Sequence, residues 1–115
     1  MQSHDAFSIE AFTGSRPGVR IVRLTGPFVL QHVPSFQDEV RKDLSPFNIV
    51  DLTGVQYMDS VGMGAIINFY VACERNHRKL VVTGVSERVQ SLFKLTKVDS
   101  VLTIKPTIAD AEGSF

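Results

Sequence analysis

The sequence predicts one small α/β domain built on a mixed β-sheet. Its 115 residues suit a single domain, and a hydrophobic content of 43% is ordinary for a globular protein with one core. Two strand-like segments come first, joined by a short turn, and three further strand-like segments then alternate with helical ones. This order predicts an antiparallel hairpin followed by strands connected through right-handed helical crossovers.

The hairpin is predicted from an alternating segment, a turn and a β-branched segment. Residues 7–12 alternate apolar and polar side chains, as in a half-buried strand. A turn containing glycine and proline follows at 14–18, and residues 19–24 are then rich in β-branched side chains. Because the connection is so short, we expect the two strands to pair antiparallel.

The first helix is predicted over residues 33–44, after Gly26 and Pro27 end the second strand. Pro34 suits the first turn of a helix, where its missing N–H costs nothing. We expect the apolar face to comprise Val33, Phe36, Val40 and Leu44.

The centre of the chain predicts a buried strand followed by the longest helix. Residues 47–52 form a nearly continuous apolar run, which is typical of a central strand covered on both faces. A helix is predicted from Ser60 to about His77. Its expected core stripe is Met63, Ile66, Ile67, Tyr70 and Cys73.

The last third predicts two more strands and one more helix. Residues 80–83 form a buried strand, and Ser86 can cap the next helix at its N-terminus. The apolar face of that helix is Val89, Leu92 and Phe93. Residues 101–104 form a short final strand, and residues 106–115 form a tail with one weak helix at most.

Composition and charge exclude several classes of function. Twelve Lys plus Arg balance twelve Asp plus Glu, so nothing favours direct binding to nucleic acid or to an anionic membrane. Cys73 is the single cysteine and cannot form an internal disulfide. Residues 1–5 lack the features of a signal peptide, and no apolar run approaches the roughly 20 residues of a membrane span. We therefore expect a cytoplasmic protein.

The segment 59–64 is the strongest candidate for a functional site, because it lies between a strand and a helix. We expect Ser60 to cap this helix through its hydroxyl. Gly62 and Gly64 are unfavourable in a first turn, by on the order of 1 kcal/mol each. Two explanations remain open: close packing of the helix on the sheet, or docking of a partner on exposed backbone.

Enzymatic and metal-binding sites are not indicated. A nucleophile elbow needs glycine two residues before Ser60, where this chain has Met58. His4, His32 and His77 form no motif with Ser60 and no metal-ligand spacing with the cysteine, so neither a triad nor a metal site is expected. No dinucleotide fingerprint is present, so we expect no cofactor.

Three stretches of the chain carry its most specific sequence pattern. The first is Val50-Asp51-Leu52-Thr53-Gly54-Val55 with Tyr57-Met58-Asp59-Ser60-Val61-Gly62-Met63-Gly64, the second is Leu80-Val81-Val82-Thr83-Gly84-Val85-Ser86 with Val89 and Leu92-Phe93-Lys94-Leu95-Thr96, and the third is Val98-Asp99-Ser100-Val101-Leu102. Together they resemble the STAS family, which includes the anti-sigma factor antagonists of bacteria, and the resemblance covers about residues 7–108. The resemblance implies a STAS-type fold with about five strands and helices mainly on one side of the sheet.

The resemblance also implies a regulatory function without catalysis. In the family, an anti-sigma factor with serine kinase activity phosphorylates the serine that follows the aspartate, which is Ser60 here. The unphosphorylated domain binds that anti-sigma factor, the phosphorylated domain releases it, and a phosphatase resets the switch. The implied partner-binding residues are Met58, Asp59, Ser60, Val61, Gly62, Met63 and Gly64. We expect a monomer or a weak dimer.

Three positions depart from the family pattern. Val29 stands where the family usually carries an acid, and Val61 where a small residue is common. Lys97 stands at a helix end where glycine is common, which predicts a different cap. The alternative function is a STAS subunit that binds a small ligand or serves as a scaffold in a signalling or lipid-transport assembly, with Ser60 never phosphorylated.

Overall fold

The computed structural model describes residues 6–115, and over that range the chain forms one mixed five-stranded sheet with four α-helices. The strands are β1 (Ser8–Thr13), β2 (Val19–Thr25), β3 (Phe47–Gly54), β4 (Lys79–Thr83) and β5 (Ile104–Lys105). The helices are α1 (Val33–Arg41), α2 (Ser60–Arg75), α3 (Glu87–Leu95) and α4 (Ile108–Gly113), with short 3-10 turns at Leu30–His32 and Val98–Ser100. Residues 1–5, including His4 and the segment judged unlike a signal peptide, lie outside the described residues.

The strand order β1-β2-β3-β4-β5 confirms the predicted mixed sheet. The hairpin of β1 and β2 is antiparallel, and each later neighbour is parallel. Most side chains of β1 are exposed, so this edge strand is less buried than its alternating pattern predicts. By contrast, β3 is buried from Asn48 to Leu52, as expected of a central strand.

Helices α1, α2 and α3 cover one face of the sheet and form the main core with it. The buried side chains that they contribute are Val33, Phe36, Val40, Met63, Ala65, Ile66, Phe69, Cys73, Val89 and Phe93. The predicted stripe of α2 is confirmed at Met63, Ile66 and Cys73, but Ile67 and Tyr70 are only partly buried. Phe69, which the prediction omitted, is buried instead.

The C-terminal segment has a larger structural role than the predicted tail. Thr107 caps α4 by accepting a hydrogen bond from the N–H of Asp110. Ala111 of α4 is fully buried on the opposite face of the sheet, where it meets Ile49 and Val81. Three helices therefore pack on one face, and the short α4 covers part of the other.

Two predicted boundaries are wrong for local reasons. Helix α1 ends at Arg41, and Leu44 is 78% exposed, so it does not belong to the core face. Asp43 accepts a hydrogen bond from the N–H of Ser45, and Ser45 precedes a proline, which disfavours helical backbone. The last strand is also shorter and later than expected, because the N–H groups of Val101 and Leu102 donate to the carbonyl oxygen of Val98 and so continue the turn that begins there.

The prediction that Lys97 changes the type of cap at this helix end is wrong. Lys97 takes a left-handed backbone conformation, with φ of 64°, which is the conformation that glycine adopts most readily. The lysine therefore occupies the same type of cap at an energetic cost.

Candidate functional site

Ser60 is the first residue of α2, directly after the loop that follows the carboxyl end of β3. Its side chain is exposed, and its hydroxyl makes no hydrogen bond to any of the described residues. The position fits the general tendency of α/β proteins to place functional groups beyond the carboxyl ends of parallel strands. The hydroxyl is therefore accessible to another molecule.

Asp59, and not Ser60, caps the N-terminus of α2, which corrects the prediction. Asp59 has extended backbone, with φ of −94° and ψ of 178°, and its Oδ1 accepts a hydrogen bond from the N–H of Gly62 at 2.8 Å. Ser60 already belongs to the helix, so its short side chain is not in the capping position. The capping role of Asp59 leaves the serine hydroxyl free.

The second carboxylate oxygen of Asp59 joins this loop to the segment after β2. Oδ2 accepts a hydrogen bond from the N–H of Leu30 at 3.0 Å. Phe28 also lies beside the loop, because its N–H donates to the carbonyl of Tyr57 at 3.0 Å. One carboxylate therefore holds two loops together next to Ser60.

The charge of Asp59 is stabilised by the same hydrogen bonds. Burial raises the pKa of its carboxyl, but hydrogen bonds from backbone N–H groups, those of Gly62 and Leu30 foremost, outweigh burial and hold the pKa below its ordinary value of 3.8. Asp59 is therefore ionised at neutral pH, and Ser60 has a fixed negative charge as its neighbour.

Gly62 and Gly64 have different roles, which decides between the two explanations left open by the sequence. A Cβ on Gly62 would lie 2.2 Å from the carbonyl oxygen of Phe28, a distance that no side chain can occupy. Nothing lies within 4 Å of a Cβ placed on Gly64. Close packing therefore explains Gly62, whereas Gly64 leaves an open surface.

The structure divides the predicted partner-binding residues into an inner and an outer set. Met58, Gly62 and Met63 are buried, so their side-chain positions face the core. Asp59 and Gly64 are partly exposed, while Ser60 and Val61 are exposed. Only the outer four can be touched by a partner without a change of conformation.

Two exposed apolar side chains near Ser60 were missed from the sequence. Leu30 is 63% exposed on the loop held by Asp59, and Tyr57 is 49% exposed with the guanidinium of Arg88 5.8 Å from its ring centroid. Neither shows a sequence signal, because their exposure depends on how the loops fold. We call the exposed set Leu30, Tyr57, Asp59, Ser60, Val61 and Gly64 the Ser60 surface.

Other reactive side chains do not form a second chemical centre in the described part of the chain. Cys73 is fully buried, and burial raises the pKa of its thiol. The ring of His32 stacks on Phe7 and bonds through Nδ1 to the carbonyl oxygen of Pro27. Among residues 6–115, no group of three or more His, Cys, Asp or Glu side chains could hold a metal ion.

The helices in that range are also too short or too polar to cross a membrane.

Known proteins that resemble the chain agree on one family. The "Anti-sigma-B factor antagonist" of Listeria monocytogenes is 32% identical over 65 residues, a stretch that covers 56% of this chain and 57% of that protein. The protein of the same name from Staphylococcus aureus is 29% identical over 86 residues, which cover 72% of this chain and 80% of that protein. The chain thus matches little more than half the length of the Listeria relative.

A solved structure and a family model complete the comparison. The crystal structure of an anti-sigma factor antagonist from Mycobacterium paratuberculosis superposes with a TM-score of 0.80 at 19% identity, covering 99% of this chain and 97% of that one. This similarity shows the fold. The model described as STAS domain matches residues 13–111. Because that match spans most of the chain, this protein belongs to the STAS domain family.

Proposed function

We propose that this protein is an anti-sigma factor antagonist that binds an anti-sigma factor with serine kinase activity and is switched off by phosphorylation of Ser60. A phosphatase then restores the binding form. The role requires no cofactor and no catalysis by this chain, and it places the protein in the cytoplasm as a monomer or weak dimer. The names of its relatives support the general role.

The observation that carries the proposal is the accessible hydroxyl of Ser60. Because Asp59 takes the capping position, the hydroxyl is neither buried nor engaged by the described residues. A kinase needs a hydroxyl of this kind, since a capping serine would first have to break its bond to the helix. The exposed apolar groups Leu30, Tyr57 and Val61 offer a partner contact area around it.

Phosphorylation would change binding more than folding. A phosphate adds about −1.5 to −2 charges at neutral pH, and the N-terminus of α2 favours negative charge. The domain should therefore stay folded. In a complex, however, the phosphate would be desolvated beside the ionised Asp59, and this repulsion would weaken the bound state.

The proposal is tested by incubating the protein with the serine-kinase anti-sigma factor of its own organism and ATP, then mapping phosphate by mass spectrometry. We expect one phosphate, on Ser60, and none on Ser60→Ala. Ser86→Ala is the matched control, because Ser86 also lies at the N-terminus of a helix but is engaged as its cap. It should be phosphorylated like the native chain.

A failure to bind the kinase, or phosphate on a residue other than Ser60, would contradict the proposal. Either result would favour the alternative of a STAS subunit with a scaffold or ligand-binding role. Val29 would then explain the failure, because it stands where the family usually has an acid that contacts the kinase.

A further inference from the structure

A groove between α1 and α2 lies on the helical face of the protein, and none of its lining residues belongs to the Ser60 surface. It has a volume of about 270 Å³. Its floor is apolar, and the side chains that form it are Phe36, Val40, Ala65 and Phe69. Leu44 stands at its rim with 78% of its surface exposed. An apolar floor of this kind favours an aliphatic ligand.

The rim of the groove carries positive charge. Arg41 and Arg78 both line it, and no carboxylate among residues 6–115 does. Arg78 is held in place, because its Nε donates to the carbonyl oxygen of Ser45 at 2.9 Å and its Nη2 donates to that of Asp43 at 3.2 Å. Guanidinium groups pair well with carboxylates, so the head of the ligand should be an anionic carboxylate.

The size of the groove sets the length of the aliphatic part. A methylene group takes up about as much space as a water molecule, roughly 30 Å³, so the groove holds about nine such groups. The dimensions therefore favour a single acyl chain of medium length.

The groove is separate from the Ser60 surface. The groove residues on α2 begin at Ala65, about 7.5 Å along the helix axis after Ser60, and extend to Ala72, about 18 Å after it. A small ligand there would leave Ser60 accessible. The site would therefore add a ligand-binding activity to the proposed function and does not depend on it.

We propose that the groove between α1 and α2 binds a medium-chain fatty acid, with its acyl chain on the apolar floor and its carboxylate paired with Arg41 and Arg78. Decanoate matches the volume and charge of this site and is the probe for the experiment. Decyltrimethylammonium has the same chain with the opposite charge and serves as the control ligand.

The experiment is titration calorimetry of the purified protein with each probe below the concentration at which it forms micelles. We expect decanoate to bind once per chain and at least tenfold more tightly than decyltrimethylammonium. Ala72→Phe should weaken decanoate binding at least tenfold by filling the groove. Val71→Phe adds the same ring to a neighbouring position that does not line the groove, and it should change the affinity less than twofold.

The charge contact has its own pair of variants. Arg41→Gln should weaken decanoate binding about tenfold, whereas Arg75→Gln, which lies on α2 outside the groove, should leave it unchanged. Thermal melts of all four variants check that each is folded. Absence of saturable decanoate binding, equal binding of the two probes, or unaltered binding to the folded Ala72→Phe variant would each overturn the proposal.

Discussion

Replacing Gly62 and Gly64 in turn should have opposite effects on stability, although both lie near the N-terminus of α2. Alanine at Gly62 would place its Cβ 2.2 Å from the carbonyl oxygen of Phe28, so one of the two backbones must move. Alanine at Gly64 meets nothing within 4 Å. The two positions therefore form a matched pair that differs in packing and shares its helical setting.

The magnitudes follow from two opposing terms. Alanine is favoured over glycine in a helix by up to about 1 kcal/mol, and this gain applies at both positions. At Gly62 it is offset by overpacking against fixed backbone, which costs about 3 kcal/mol at the upper end of its usual range. We expect Gly62→Ala to lower the free energy of unfolding by about 2 kcal/mol, and Gly64→Ala to raise it by about 0.5 to 1 kcal/mol.

Thermal unfolding followed by circular dichroism measures both effects. For a domain of this size the melting temperature shifts by roughly 4 °C per kcal/mol, so it should fall by about 8 °C for Gly62→Ala and rise by about 2 to 4 °C for Gly64→Ala. Equal shifts of the same sign would refute the assignment of packing to Gly62 alone. A bulky Gly64→Leu variant should stay folded and lose affinity for the partner.

Three further effects on stability are expected. Asp59→Ala removes the cap of α2 and the bond to the second loop and should lower the free energy of unfolding by about 1 to 2 kcal/mol in urea titrations, whereas Asp59→Asn should retain part of the cap. Lys97→Gly should raise the melting temperature, because it relieves a left-handed conformation that costs about 1 kcal/mol for a lysine, while Lys97→Ala should bring no gain. Burial of Asp51 raises the pKa of its carboxyl, but hydrogen bonds from Thr53 and Arg23 outweigh burial and hold that pKa below 3.8. The ionised carboxylate therefore stabilises the fold above pH 3.8, and this stabilisation is lost as the pH falls through the lower pKa of the folded state. As the pH falls below 3.8, the free energy of unfolding should therefore fall more steeply for the native chain than for Asp51→Asn, and parallel pH profiles would contradict this.

The order of elements and the mixed sheet could be predicted from the sequence because they depend on local patterns. The apolar run of β3 and the cap at Ser86 have physical causes that lie within a few residues. The boundary of α1 was wrong because the pattern that extended it to Leu44 reflects only spacing, whereas the helix ends through Asp43 and the proline that follows Ser45.

The sequence predicted which segment of the chain holds the candidate site, but it assigned the cap of α2 to the wrong residue of that segment. Either Asp59 or Ser60 could cap α2 by residue type, and only the backbone angles show that Asp59 does so. The role of Gly62 depends on Phe28, which lies more than thirty residues earlier in the chain. Contacts between distant segments of this kind carry no local signal.

Binding of the anti-sigma factor to the phosphorylated and the unmodified protein tests the central claim most directly. Titration calorimetry should show that phosphate on Ser60 weakens binding about a hundredfold, which corresponds to roughly 3 kcal/mol. Ser60→Ala should bind like the unmodified chain, and Ser60→Asp should bind weakly because its carboxylate carries part of the phosphate's charge. Equal affinities for the phosphorylated protein, the unmodified protein and both variants would contradict a switch at Ser60.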